Sequence, residues 1–96
     1  MRWKVDKAKL DEMLRLLRRY KRTHDQDIYR LVTATEDDVM LDKNPYSVAG
    51  SYVKGICNSM LFFGQPSNAR FYEVLNLCGI EVVETEPYIS EEGLPF

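Results

Sequence analysis

Nucleophilic catalysis by Ser, Thr or Cys needs a positioned base, and His24 is the one histidine available for that role. No nucleophile stands at a spacing that pairs with it. Without a second histidine or a neighbouring cysteine, His24 also lacks the partners of a common zinc site. In its polar setting, Thr23 to Gln26, it reads as an exposed linker residue. The acids Glu36, Asp37, Asp38 and Asp42 could attract Mg²⁺ or Ca²⁺, but they lack the spacing and fixed glycine of a calcium loop. Lys43 adjoins Asp42, so on a strand it points away from the face Asp42 occupies and could not serve the phosphate of a metal-dependent phosphoesterase. These acids are expected to line a solvated turn. No glycine-rich phosphate loop and no Cys-x-x-Cys occurs. An enzyme is therefore the least supported class, and no cofactor or metal is expected.

Charge offers more. The 96 residues carry a net charge of -2, with 45% hydrophobic residues, as in an ordinary globular domain. That average hides a split. Residues 1–23 hold nine Lys or Arg against three acids, a net +6, and the rest of the chain is −8. Arg15, Arg18, Arg19, Lys21 and Arg22 form a basic stripe able to meet phosphates or an acidic partner, since Arg binds both bidentately. The competing reading is a solvated or internally neutralised helix face. The pI near 5.4 argues against a dedicated nucleic-acid binder.

The elements that must position these groups follow from periodicity. Met1, Trp3 and Val5 alternate with basic residues, as in a short strand. Asp6 is placed to cap a helix over 7–22, whose apolar residues Leu10, Met13, Leu14, Leu17 and Tyr20 share one side. Ile28 to Thr33 is rich in β-branched and aromatic residues and predicts a strand. Thr35 to Asp38 predicts a turn, and Val39 to Leu41 a returning hairpin strand. Asn44-Pro45 predicts the start of a helix running to Phe63, with Gly64 beyond it. Ser67 is placed to cap a helix over 68–78, stopped by Gly79, and Ile80 to Val83 predicts a last strand. The order is β-α-β-β-α-α-β, which predicts an α+β fold with a small antiparallel sheet and three helices, a variant of the ferredoxin-like split βαβ. One domain is expected over 1–86, followed by an acidic, apolar tail over 87–96.

The helix over 45–63 departs from the usual amphipathic pattern. It contains one charged residue, Lys54. Ala49, Val53, Ile56, Cys57 and Met60 make its main apolar face. Its back carries Ser47, Ser51, Gly55 and Ser59 in a row, flanked by Val48, Tyr52 and Phe62. Gly50 and Gly55 each cost about 1 kcal/mol of helix propensity relative to Ala. One reading makes this the central helix, covered by the first helix or by the tail. The other makes Ser51, Tyr52, Gly55, Ser59 and Phe62 an oligomer interface, most simply in a homodimer.

Cys57 and Cys78 sit inside apolar helical patterns and are expected to be reduced, buried and small. The start of the chain lacks the apolar core of a signal peptide, and no apolar run approaches the length of a membrane span, so a cytoplasmic setting without membrane contact is expected. The resulting expectation is a small non-enzymatic regulator or inhibitor that binds another protein, the kind of short chain that phages and mobile elements often encode. The tail residues Tyr88, Ile89, Leu94 and Phe96 would meet a basic partner surface, alone or within a complex that handles nucleic acid. The rival expectation is a nucleic-acid-binding regulator, led by the basic helix or by a helix-turn-helix over 45–78 that reads through Asn68, Arg70, Glu73 and Asn76.

Overall fold

A computed structural model describes residues 3–42 and 49–84. The first strand, β1 (Trp3–Asp6), buries Val5 on its inward side. Asp6 then turns the chain into α1 (Lys7–Thr23), its carboxylate accepting from the Ala8 N–H at 3.1 Å. Leu10, Met13, Leu14, Leu16 and Leu17 bury the inner side of this helix. It stops at His24, whose φ of 57 is left-handed and whose N–H donates to the Tyr20 carbonyl at 2.6 Å.

The strand predicted over 28–33 and the turn predicted over 35–38 are instead one helix, α2 (Gln26–Asp38). Asp25 caps it by accepting from the Asp27 N–H at 2.9 Å. Ile28, Val32 and Glu36, spaced four apart, face inward, where α2 packs against α1 and α3. Thr33 and Thr35, which prefer strands, are accommodated because their hydroxyls donate to the carbonyls of Tyr29 and Leu31 one turn earlier. Burial of one face thus overrides local β propensity.

The returning strand predicted over Val39 to Leu41 does not form: Val39 is helical at φ -71 and ψ -20, and among the described residues the chain then makes only an isolated bridge to β1. Val5 and Met40 form an antiparallel bridge, held by Asp6 N–H to Val39 O and Leu41 N–H to Lys4 O, both 2.8 Å. After the undescribed residues 43–48, which include the predicted start at Asn44-Pro45 and Ser47 and Val48 of the small-residue row, α3 (Ala49–Phe62) crosses α2 and α1. Ser67 caps α4 (Asn68–Leu77), accepting from the Arg70 N–H at 3.3 Å. Gly79, at φ 85, makes the turn into β2 (Ile80–Val83).

The sheet is not antiparallel. Among the described residues β1 and β2 pair parallel, with Trp3 opposite Ile80 and Val5 opposite Val82. Parallel neighbours need a crossover, and here the four helices between the strands supply it. Among the described residues the architecture is a small, mostly helical α+β unit, βααααβ, with four helices where three were predicted and without the ferredoxin-like strand order. Val5, Leu10, Leu14, Val32, Val53, Phe71, Leu75 and Ile80 meet in one core. No helix among the described residues is long and apolar enough to cross a membrane. The boundary at residue 86 and the tail beyond it lie outside the described residues.

Candidate protein-docking surface

α3 owes its position to spacing of four. Ala49, Val53, Cys57 and Leu61 are buried along one side. Lys54, its one charged residue, turns toward α2, where its ammonium lies 2.9 Å from the buried Glu36 carboxylate and 5.4 Å from the centre of the Tyr29 ring. The Ser51 hydroxyl donates to the other Glu36 oxygen at 2.9 Å. Gly50 explains itself at this crossing. A Cβ there would run into the backbone carbonyl of Glu36, so the helices approach this closely only because none exists. A side chain on Gly55 would meet nothing.

The outer side of α3 carries no unpaired charge. It bears Tyr52, Gly55 and Ser59 and ends at Phe62 and Phe63, which are 74% and 85% exposed. Those two rings pack edge to face, 5.3 Å between centres. Trp3 from β1 meets the Tyr52 ring in the same way at 6.0 Å. Between α3 and α4 lies an open apolar groove of about 650 Å³, lined by Tyr52, Gly55, Ile56, Ser59, Met60, Phe63 and Val74 together with Ser51. A second hollow of about 440 Å³ continues it past Phe63 to Gly64, Gln65, Pro66 and Arg70.

Basic groups ring the far end of this groove. The Lys21 ammonium lies 5.9 Å from the centre of the Phe62 ring. Arg18 donates to the Pro66 carbonyl at 3.0 Å and stacks over Phe71 at 5.6 Å. Arg70 forms an exposed ion pair with Glu73 at 3.1 Å. The five basic residues of α1 therefore do not form one uniform stripe. Arg18 and Lys21 turn toward α3 and α4. Arg15, Arg19 and Arg22 are exposed on a separate arc, and none of the ion pairs among the described residues includes them.

The other candidate groups take structural places. His24 terminates α1, with its ring 5.9 Å from that of Tyr20. Glu36 is 5% exposed and is held by Lys54 and Ser51, while Asp37 and Asp38 extend the exposed end of α2. Among the described residues no group of three or more His, Cys, Asp or Glu could hold a metal ion. Cys57 is buried, and burial pushes its thiol up to about 12. Cys78 is exposed at the end of α4, contrary to the expectation of burial, because the helix has already turned away from the core there.

The α4 residues expected to read nucleic acid are largely engaged. The Asn68 amide donates to Asp11 at 3.0 Å, the Tyr72 hydroxyl donates to the same carboxylate, and Arg70 is paired with Glu73. Burial, reinforced by the bond to Asp11, holds the Tyr72 phenol up at about 12. This polar seam fastens α4 to α1 and sets the far wall of the groove.

Of the predicted interface, Ser51, Tyr52, Gly55 and Ser59 line the groove, and Phe62 stands beside it. Phe63, Ile56, Met60 and Val74 also belong to it. Ile56 and Met60 had the signature of core residues, yet they are half-buried. Two consecutive phenylalanines immediately before Gly64 were the available signal for Phe63, since a helix can bury only one of two adjacent residues fully. The tail residues Tyr88, Ile89, Leu94 and Phe96 lie outside the described residues. Comparison with family models, curated proteins and solved structures gave no match.

Proposed function

We propose that this chain is a small non-enzymatic protein-binding regulator or inhibitor whose working surface is the outer side of α3 and its aromatic end. The observation that carries the reading is the exposure of Phe62 and Phe63, 74% and 85%, at the end of a groove on a helix without an outward charge. Contiguous exposed apolar surface rimmed by polar groups marks interaction sites. Arg and aromatic side chains together are the residues that dominate binding energy at protein interfaces. The reading places the chain in the cytoplasm, where Cys57 and Cys78 remain thiols. A homodimer packed across the same face is a second form of it.

A photo-reactive phenylalanine analogue at position 63, with one at Thr33 on α2 as the control, tests the reading in the cells that make the protein. Capture of a discrete protein from position 63, absent from position 33 and abolished by Gly55→Arg, is the expected result. Equal capture from both positions would remove the reading, and self-capture with a doubled mass would select the homodimer.

The rival nucleic-acid reading has one observation in its favour: the exposed arc of Arg15, Arg19 and Arg22. A phosphate binder loses affinity linearly in log salt. If changing these three to Glu left affinity for duplex and single-stranded oligonucleotides untouched, the rival would fall.

A further inference from the structure

Resting on the docking reading above, we propose that the occupant of the α3–α4 face is a second copy of this chain, seated antiparallel about a two-fold axis through Gly55. Area, the order of side chains along α3, and charge lead to this occupant.

The face is large enough. Arg70, Val74 and Leu77, spaced four and three apart, share one side of α4. Arg70 and Val74 line the two hollows, so Leu77, 84% exposed, continues the same surface at the end away from Phe63. Phe62, Phe63, Tyr52 and Leu77 together leave on the order of 500 Å² in water, since a whole aromatic side chain covers about 150–250 Å². The half-buried Ile56, Met60 and Val74, with Gly55 and Ser59, bring the face to roughly 700 Å², close to the roughly 800 Å² that each side of a standard interface contributes.

The order along α3 suits its own copy. Gly55 stands at the middle of the helix, with Ser51 and Ser59 four residues to either side. A two-fold contact sets one residue on a second and the second on the first, and a residue on the axis meets itself. An axis through Gly55 therefore exchanges Ser51 with Ser59 and puts the smallest residue where the two helices come closest. Gly55 has no comparable use inside the chain. Gly50 is required by the Glu36 carbonyl, whereas Gly55 gives up about 1 kcal/mol of helix propensity although a side chain there would meet open space. Phe63 lies eight residues beyond the axis, about 12 Å along α3. The same rotation carries it past Tyr52 of the second copy, toward Leu77 at the open end of the groove.

Charge decides the direction. The floor of the face is neutral, as a two-fold seam requires, because a charge near the axis would meet its own kind. Lys21, Arg18 and Arg70 stand at the Phe63 end. Parallel pairing would bring these cations of the two copies together, and antiparallel pairing holds them at opposite ends. Self-association and binding of an external partner then share one surface, so the partner takes it by separating the copies.

The test uses the full chain. Sedimentation equilibrium should show a monomer–dimer equilibrium. Gly55→Arg should weaken it at least about a hundredfold, because the axis sets two guanidinium groups against each other. In the single chain that side chain points into open space, so an unfolding curve checks that the fold is kept. Gly55→Ala should weaken pairing severalfold even though alanine favours the helix of the dilute single chain. Direction is read by disulfide trapping with copper–phenanthroline as oxidant in a Cys78→Ser background. Gly55→Cys should trap a dimer with itself, and Ser51→Cys mixed with Ser59→Cys should trap faster than either alone. A chain that stays monomeric at high micromolar concentration overturns the proposal, as does a dimer that Gly55→Arg leaves intact. Faster trapping of Ser51→Cys and of Ser59→Cys each with itself overturns the antiparallel seat. Photo-capture from position 63 reads the docking surface independently. A monomeric chain that still captures a foreign protein there keeps that surface and loses the second copy as its occupant.

Discussion

Lys54 and Glu36 form an ion pair across the α2–α3 crossing at 2.9 Å, with side chains 20% and 6% exposed. The Ser51 hydroxyl completes the carboxylate's partners. A pair this buried is costly to break from one side, because the remaining charge keeps its desolvation penalty and loses its partner. Lys54→Met should therefore destabilise by roughly 2–4 kcal/mol in urea unfolding. Adding Glu36→Leu should restore more than half of the loss. If the double variant were as unstable as the single, the pair would not be the source of the effect.

Two glycines of one helix should respond oppositely to the same change. Gly50→Ala forces a methyl into the Glu36 carbonyl, so the helices must separate and stability should fall despite alanine's better propensity. Gly55→Ala meets open space and should gain about 0.5–1 kcal/mol. Thermal unfolding of the two variants side by side decides it. Equal shifts would mean that the close approach at Gly50 is not real.

His24 holds a left-handed conformation that costs an ordinary residue about 1–2 kcal/mol. Glycine adopts it without that strain but has more freedom to lose on folding. His24→Gly should net a gain of about 0.5–1 kcal/mol, a rise of roughly 3–6 °C in Tm. An unchanged or lower Tm would assign more weight to the ring contact with Tyr20 than the strain argument allows.

One thiol and one phenol set an alkaline limit. The Cys57 thiol is raised from 9.0 to about 12, chiefly by burial, and the Tyr72 phenol from 10.0 to about 12. Both hold their protons more tightly when folded, so the unfolded chain deprotonates first as pH rises. Their stabilising contribution is complete below about pH 9 and is lost progressively toward about pH 12. Cys57→Ala should move the onset of that loss up toward about pH 10, where Tyr72 takes over. At neutral pH a thiol reagent should titrate Cys78 at once and Cys57 only as the protein unfolds. Immediate reaction of both would contradict the placement of Cys57.

Legibility from sequence divides along physical lines. α1, α4 and β2 were visible because their signals are local: a cap at Asp6 or Ser67, a regular apolar spacing, a glycine at the turn. α2 is hidden because Ile28 to Thr33 has strand composition, and only the spacing of Ile28, Val32 and Glu36 marks its buried face. Nor did His24 advertise a helix end, since the usual residue in that conformation is glycine. The partner of each strand could not be read at all, because pairing across the whole chain leaves no local trace. At the candidate surface, Ser51, Tyr52, Gly55, Ser59 and Phe62 were legible from the missing charges of one helix. The division of the α1 basic residues into an inward set, Arg18 and Lys21, and an outward arc depends on where α3 ends and α4 begins.

The ladder between β1 and β2 sets the order of events in folding. Trp3 meets Ile80 only after everything between them has been gathered, a closure costing on the order of 4 kcal/mol in chain entropy. The α1–α2 hairpin needs no such closure and is free to form early. Four residues in each strand are therefore the last to be secured. The Trp3 N–H, which donates to the Gly79 carbonyl at 3.3 Å across this closure, becomes open to exchange when the two strands part. The smallest element of the fold thus reports the meeting of its first and last described strands.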